Sequence, residues 1–177
     1  MTDTDALIEA AQANAGLPPV DKWDPDYCGE MDLVIRRDGL WIHEGTPIGR
    51  EKLVQLFSRI IKREGDDYFL VTPVEKLGIK VEDAPFVAID FRQQDGDLTF
   101  VTNVGDAVTA DADHPIRVEM KDGEPSPYIL VRRNLEALID RKSFYRLVDI
   151  GETEGEWFGV RSAGEFFPLI RQRELPD

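Results

Sequence analysis

Two histidines, one cysteine and a few short polar runs carry most of the chemistry open to this chain of 177 residues. His43 follows Trp41 by two residues, so on a strand both project from one face, with Pro47 and Arg50 close behind. That pattern suits a ligand pocket with an aromatic wall and a titratable tip. Its plainer reading is a half-buried strand histidine bonded to backbone. The run "TPVEK" places Thr72, Glu75 and Lys76 in or beside a turn. Arg132, close to Tyr128 on one extended stretch, offers a planar two-pronged contact to a carboxylate or phosphate. Its plainer reading is an ion pair with Glu136 or with acids of the first half. With Trp23, these make the candidate ligand-binding set: Trp23, Trp41, His43, Thr72, Glu75, Lys76, Tyr128 and Arg132.

The common catalytic chemistries lack their residues, and no catalytic residue, metal ligand or cofactor is assigned. Adjacent Glu82 and Asp83 point to opposite faces of a strand and cannot converge on one bond as a carboxylate pair must. They are expected to pair with arginines of the other half. With His43, His114 and Cys28 alone, neither a helical zinc motif nor a multi-thiolate site can be assembled. There is no nucleophile elbow, no phosphate-binding loop and no dinucleotide fingerprint, since Gly151, Gly155 and Gly159 have the wrong spacing. Ser162 and Cys28 remain as nucleophiles without helpers. Tyr68, Phe69, Trp157 and Phe158 are expected in the cores of the two halves rather than on a base-stacking platform.

Net charge is -14, which opposes a nucleic-acid partner because such binding depends on basic residues displacing counterions. Residues 1–32 carry eight acids against Lys22, so half of that excess lies in an N-terminal arm. No stretch approaches the roughly 18 consecutive apolar residues of a membrane span, and the acidic start is unlike a signal peptide. A cytoplasmic, bacterial protein is expected.

These groups need a scaffold, and turn chemistry supplies its plan. Asp38-Gly39, Asp95-Gly96 and Asp122-Gly123 each separate stretches rich in branched and aromatic residues, which predicts three hairpins, the third loosened by "GEPSP". A short helix is expected over Asp5 to Ala15, stopped by Gly16, Pro18 and Pro19. Leu53, Leu56, Phe57, Ile60 and Ile61 share a helical stripe, predicting a helix that runs to Gly65. Leu135, Leu138 and Ile139, then Phe144, Leu147 and Val148, predict a second, broken helical region with Ser143 as a cap.

The elements also repeat. Val34, Asp38 and Gly39 recur as Val118, Asp122 and Gly123 at an offset of 84, which carries the helix start at Arg50 onto Asn134. Tyr68, Phe69 and Val71 recur as Trp157, Phe158 and Val160 at an offset of 89. An internal duplication follows. The expected organisation is an acidic helix and arm over 1–32, a first α+β repeat over 33–86, a linking hairpin over 87–113 and a second repeat over 114–177.

The blocks "WDP" from Trp23, "DGLWIHEGTPIGR" from Asp38, "LVTPVEKLGIKVEDAPF" from Leu70, "TN" at Thr102, "HPIRV" from His114, "PYILVRRNLEALIDRKSFYRLV" from Pro127 and "SAGEFF" from Ser162 occur in this order. Together they resemble the family catalogued as domain of unknown function 1285, over about Trp23 to Leu169. The resemblance implies an α+β protein of two similar subdomains, each a curved antiparallel half-barrel wrapped around a helix, and a link to signalling or regulation without an assigned reaction. The expected function is a ligand-binding or regulatory module holding a small polar ligand, or a protein partner, in a cleft between the halves. Two further readings stand beside it. One is a small hydrolase or lyase using His43 or His114 as general base. The other makes the acidic arm and Trp23 a docking segment, with a homodimer among its outcomes.

Overall fold

A computed structural model describes Ile8 and residues 16–175, so all of the helix expected over Asp5 to Ala15 except Ile8, which is helical, lies outside the described residues. The chain divides into two compact units, Met1–Asp83 and Ala84–Asp177.

In the first unit, a turn of 3-10 helix at Val20–Lys22 leads into β1 (Tyr27–Ile35), β2 (Trp41–His43) and β3 (Thr46–Pro47). Helix α1 (Glu51–Ser58) follows, then β4 (Ile61–Glu64), β5 (Asp67–Val71) and β6 (Lys76–Val81). The sheet order is β3-β2-β1-β6-β5-β4. Neighbours are antiparallel except at the centre, where β1 and β6 run parallel with two register shifts. The expectation of an antiparallel sheet is therefore corrected at that junction. Alternation sends Met31, Leu33 and Ile35 of β1 and Leu77 and Ile79 of β6 to one face, where they bury with Trp41, Phe57, Ile60, Ile61 and Leu70. Each such side chain contributes about 1.5–3 kcal/mol of apolar burial.

Helix α1 stops well short of Gly65. The Ser58 hydroxyl donates to the Gln55 carbonyl oxygen at 2.6 Å, and the adjoining β-branched Ile60 and Ile61 favour extended backbone. Ile61 accordingly opens a strand. Gly65 (φ 62°) sits in the β4–β5 turn, where positive φ suits glycine.

The second unit begins with β7 (Phe86–Gln94), β8 (Asp97–Thr102) and β9 (Ala107–Thr109). It continues through β10 (Ile116–Lys121), β11 (Glu124–Arg132) and β12 (Leu135–Ile139) to α2 (Arg141–Asp149). The sheet order is β10-β11-β12-β7-β8-β9, with β12 and β7 parallel at the centre. A separate three-stranded antiparallel sheet follows, β13 (Glu152–Glu154), β14 (Trp157–Ser162) and β15 (Glu165–Arg171). Read from its far edge, the second sheet repeats the order of the first: two three-stranded meanders joined by a parallel pair between first and last strands. The described residues are mostly sheet, with α1 in the first unit and α2 in the second.

Three expectations change here. Residues 87–113, expected as a linking hairpin, lie within β7 to β9 and the loop after them, inside the second unit. Leu135–Ile139 is a strand, with Leu135, Ala137 and Ile139 buried in alternation, so Asn134 lies in a turn and does not start a helix. The second helix is capped by Asp140, whose carboxylate accepts from the Ser143 amide at 3.0 Å. All three Asp-Gly turns join paired strands, and the third is as tight as the second. Pro125 and Pro127 lie on the part of β11 that extends past β12, where no donor is needed on that side.

Candidate functional site

The outer face of the first sheet is set by β6, whose residues alternate between core and surface. Leu77 and Ile79 turn inward, so Lys76, Gly78 and Lys80 turn outward. Gly78 pairs with Phe69 of β5 on one side and Glu30 of β1 on the other. With no side chain at that point, the sheet is recessed. A methyl built on Gly78 would overlap both carboxylate oxygens of Glu30, which lies over the glycine.

Around this recess lies a groove of about 500 Å³, lined by residues that include Tyr27, Glu30, Phe69, Lys76, Gly78 and Lys80. The Tyr27 hydroxyl donates to Glu30 Oε1, and the Tyr27 ring meets Phe69 edge-on at 6.3 Å between centroids. The hydrogen bond to Glu30 and burial hold the Tyr27 phenol above its usual range, with the carboxylate's charge adding to both. Lys76 Nζ lies 4.5 Å from the centroid of Phe69 and 2.5 Å from Glu64 Oε2. Lys62 reaches Glu64 Oε1 at 3.5 Å and donates to the Trp23 carbonyl oxygen at 2.9 Å, tying the entry segment to β4. The Lys76 hydrogen bond, more than any other contact, holds the Glu64 carboxyl below its usual range. One wall of the groove is thus aromatic, and its charges carry both signs.

The sequence-derived candidates fall out differently. Trp23 is half-buried and touches this region through its carbonyl. Trp41 is a core residue, its indole N–H buried without a hydrogen-bond partner among the described residues. His43, half-buried on β2, pairs in register with Leu33, and so faces the core side of the sheet. Thr72 is buried, and its hydroxyl accepts from the amides of Val74 (3.2 Å) and Glu75 (2.9 Å), which closes the turn before β6. Glu75 is half-buried, with one carboxylate oxygen buried and without a hydrogen-bond partner among the described residues. Lys76 alone of the six in this unit lines the groove with its side chain. Trp41 and Lys76 lie on opposite faces, so these six do not converge on one pocket.

In the second unit, Tyr128 is buried, its hydroxyl bonded by Lys121 Nζ at 2.6 Å and its ring capped by Arg117 at 4.5 Å. The fork of Arg132 is already engaged: Nη1 lies 2.6 Å from both oxygens of Asp106, and the guanidinium stacks over Phe86 at 4.8 Å. Glu136, the partner expected for Arg132, instead binds Arg117 through two parallel hydrogen bonds of 2.8 and 2.9 Å. Glu82 and Asp83 both meet Arg37 of their own unit. Ser162 is fully buried with its hydroxyl committed in both directions, so it is a structural pin and not a nucleophile. Tyr68 and Phe69 are half-buried groove residues rather than core, Phe158 is half-buried, and Trp157 is 36% exposed.

Tyr27, Glu30, Gly78 and Lys80 were not among the candidates. Lys76, Gly78 and Lys80 at a period of two, between the apolar Leu77, Ile79 and Val81, are the sequence signal that could have found the recess. Among the described residues no group of three or more His, Cys, Asp or Glu is arranged to hold a metal ion, and no helix is long and apolar enough to cross a membrane.

Comparison with known proteins agrees with this architecture. The crystal structure of a DUF1285 family protein from Silicibacter pomeroyi DSS-3 is 52% identical and superposes with a TM-score of 0.88, covering 95% of this chain and 96% of that one. A DUF1285 family protein from Shewanella baltica OS155 is 31% identical, with a TM-score of 0.56 over 67% of this chain and 91% of that one. No curated protein matches. The family profile for the N-terminal domain of DUF1285, a domain of unknown function, matches residues 18–84, and that for its C-terminal domain matches residues 85–169. Those two spans follow the two compact units, and the chain belongs to the DUF1285 family.

Proposed function

We propose that this protein is a ligand-binding or regulatory module that holds a small polar ligand in the groove on the outer face of the first sheet. The observation that carries this reading is the recess at Gly78, roofed by the Glu30 carboxylate and flanked by Tyr27, Phe69 and Lys76. Its volume of about 500 Å³ lies in the range of small-molecule sites, roughly 300–1,000 Å³. Apolar ring surface beside a few fixed polar groups is the usual composition of such sites. The ligand on this reading sits within the first unit. A role in signalling is part of this proposal, with ligand binding changing the state of the protein.

The same proposal includes descent of the two units from one ancestral pair of meanders, each curled as a half-barrel about its helix. The shared strand order supports it.

The enzymatic reading draws on one observation: His114 Nδ1 lies 2.9 Å from Asp111 Oδ1, the geometry of an oriented imidazole. Asp111 also accepts from the amides of Asp113 and His114, so the pair reads as a capped turn. The His114 hydrogen bond is the largest cause holding the Asp111 carboxyl below its usual range. The buried Ser162 hydroxyl is not free to serve it as nucleophile.

The test is a screen of small polar compounds against isotopically labelled full-length protein, read by amide chemical shifts. The reading expects hits that move Glu30, Phe69, Gly78 and Lys80 together and weaken in Gly78→Ala. A screen in which no compound moves these amides at millimolar concentration overturns it.

A further inference from the structure

Resting on the groove reading, we infer that the Glu30 side chain is a gate: seated over Gly78 it fills the deepest part of the groove, and a ligand enters as the carboxylate swings out. The backbone of β1, the seat on β6 and the weak hold on Glu30 each point to this device.

Tyr27 and Glu30 stand three apart on β1, a spacing that sends the side chains of a regular strand to opposite faces. Both nevertheless line the groove, because the β1–β6 register shifts between them at a bulge where Gly29 takes a φ of 104°. A bulge of this kind re-aims a side chain, and here it brings the Tyr27 hydroxyl to donate to Glu30 Oε1.

The seat is Gly78. Its φ lies outside the positive region, so the backbone itself does not call for glycine. The space above it does: the atoms nearest to a methyl built there are the two carboxylate oxygens and Cδ of Glu30. Glycine inside a strand often marks such a close approach. Gly78 is also buried although it faces outward, and Glu30 lies over it.

The hold on Glu30 is slight. Among the described residues its carboxylate accepts from the Tyr27 hydroxyl alone and meets no cation. Lys76 Nζ is taken up by Glu64 at 2.5 Å and lies over the Phe69 ring, and Asp66 lies 3.8 Å from Arg63. Lys80, one position beyond the Tyr68–Ile79 pair, stands opposite Asp67. Neither lysine reaches Glu30. Glu30 is exposed and Tyr27 is 55% exposed, so water can replace either end of their one bond, and the glutamate regains rotamer freedom on leaving. The carboxylate therefore blocks the recess without being locked there. A ligand that needs the recess binds only the open fraction, and a seat filled about nine-tenths of the time weakens its binding about tenfold. The gate acts through space, whatever charge the ligand carries.

Glu30→Ala empties the seat and removes a fragment the size of acetate, which serves as the probe. Sodium acetate, against equal sodium chloride, is titrated into isotopically labelled full-length protein. In Glu30→Ala the amides of Tyr27 and Gly78 should move saturably at millimolar acetate, and in wild type at least about tenfold more weakly. Glu30→Gln removes the charge but keeps the seat filled, so it should respond as wild type does. Equal responses of Glu30→Ala and Glu30→Gln overturn the gate, because charge and not occupancy then decides. Silence of Glu30→Ala overturns it as well. Adding Gly78→Ala to Glu30→Ala fills the seat from below and should abolish the response; a response that survives places the acetate elsewhere and overturns the assignment. Compounds of the wider screen that occupy the groove of wild type yet bind Glu30→Ala no more tightly also overturn the gate, while leaving the groove as a site. Silence of every compound in both proteins removes the groove reading itself.

Discussion

Replacing Ser162 with alanine tests how far its hydroxyl pins the three-stranded sheet to the second six-stranded sheet, beside the Ala163 amide that reaches Asp97 at 3.2 Å. Ser162 Oγ accepts from the Leu98 amide at 2.8 Å and donates to the Ala110 carbonyl oxygen at 2.7 Å, and all three residues are buried. Alanine fits the space but leaves an amide and a carbonyl without that partner in a site closed to water. Each buried polar group stranded this way costs about 1–3 kcal/mol, so a loss of about 2–4 kcal/mol is expected, allowing for partial relaxation. The matched comparison is Thr109→Val. Its hydroxyl bonds Thr99 at 2.8 Å in a half-buried position, where solvent can replace it, and the expected loss is below about 1 kcal/mol. Urea unfolding of both variants, followed by the near-ultraviolet signal and by amide shifts of β8 and β14, measures the difference. If Ser162→Ala loses no more than Thr109→Val, the hydroxyl does not hold this junction and its assignment as a pin is wrong.

Four other outcomes follow from the same contacts. Gly159→Ala drives a methyl into the Phe167 carbonyl oxygen, so loss of more than about 3 kcal/mol or failure of the three-stranded sheet to form is expected by circular dichroism and unfolding. Asp140→Ala removes the cap of α2 and should lower stability by about 1 kcal/mol in urea. Arg132→Met leaves Asp106 alone beside Phe86 and should cost about 3–5 kcal/mol, whereas Arg132→Met with Asp106→Leu should recover most of it, as a double-mutant cycle will read. Glu64 has a lowered folded pKa, so its contribution is fully present above the ordinary value of 4.5 and is lost as pH falls through the lower folded value; the stability gap between wild type and Glu64→Gln should hold near neutrality and close in acid.

Local signals were read correctly where the physics was local. The Asp-Gly turns joined the strands they bracketed because their backbone angles are set within the turn itself, positive at both residues of Asp95-Gly96 and Asp122-Gly123 and at Gly39 of the wider first turn. Leu135–Ile139 was misread because Leu135, Leu138 and Ile139 satisfy a helical spacing while Leu135, Ala137 and Ile139 satisfy a strand's, and pairing with β11 and β7 decided between them. The extension of α1 to Gly65 failed for a similar reason: Ile60 and Ile61 are buried as expected, but one of them on a strand. The groove was hidden more deeply. Tyr27 and Glu30 fell in a stretch read as an acidic arm, and only the parallel pairing of β1 with β6 brings Glu30 onto Gly78. A pairing between residues so far apart in sequence leaves no periodicity to read.

The common strand order makes the difference between the two outer faces informative. In the first unit the last strand of the meander pair presents Lys76, Gly78 and Lys80 outward, and the missing side chain leaves the recess. The corresponding strand of the second unit, β12, presents Glu136 and Leu138 on the face opposite its buried Leu135, Ala137 and Ile139. Glu136 is held there by Arg117 through two parallel hydrogen bonds, which keep the guanidinium charged well above its usual range, and Arg117 in turn covers the ring of Tyr128. Where one sheet has a glycine and a carboxylate without a cation among the described residues, the other has a bulky side chain and a completed ion pair. Architecture alone therefore does not supply a binding site. On the proposed reading, the residue at one outward position of the central strand and the pairing of the charge beside it separate the unit with a recess from the unit without one.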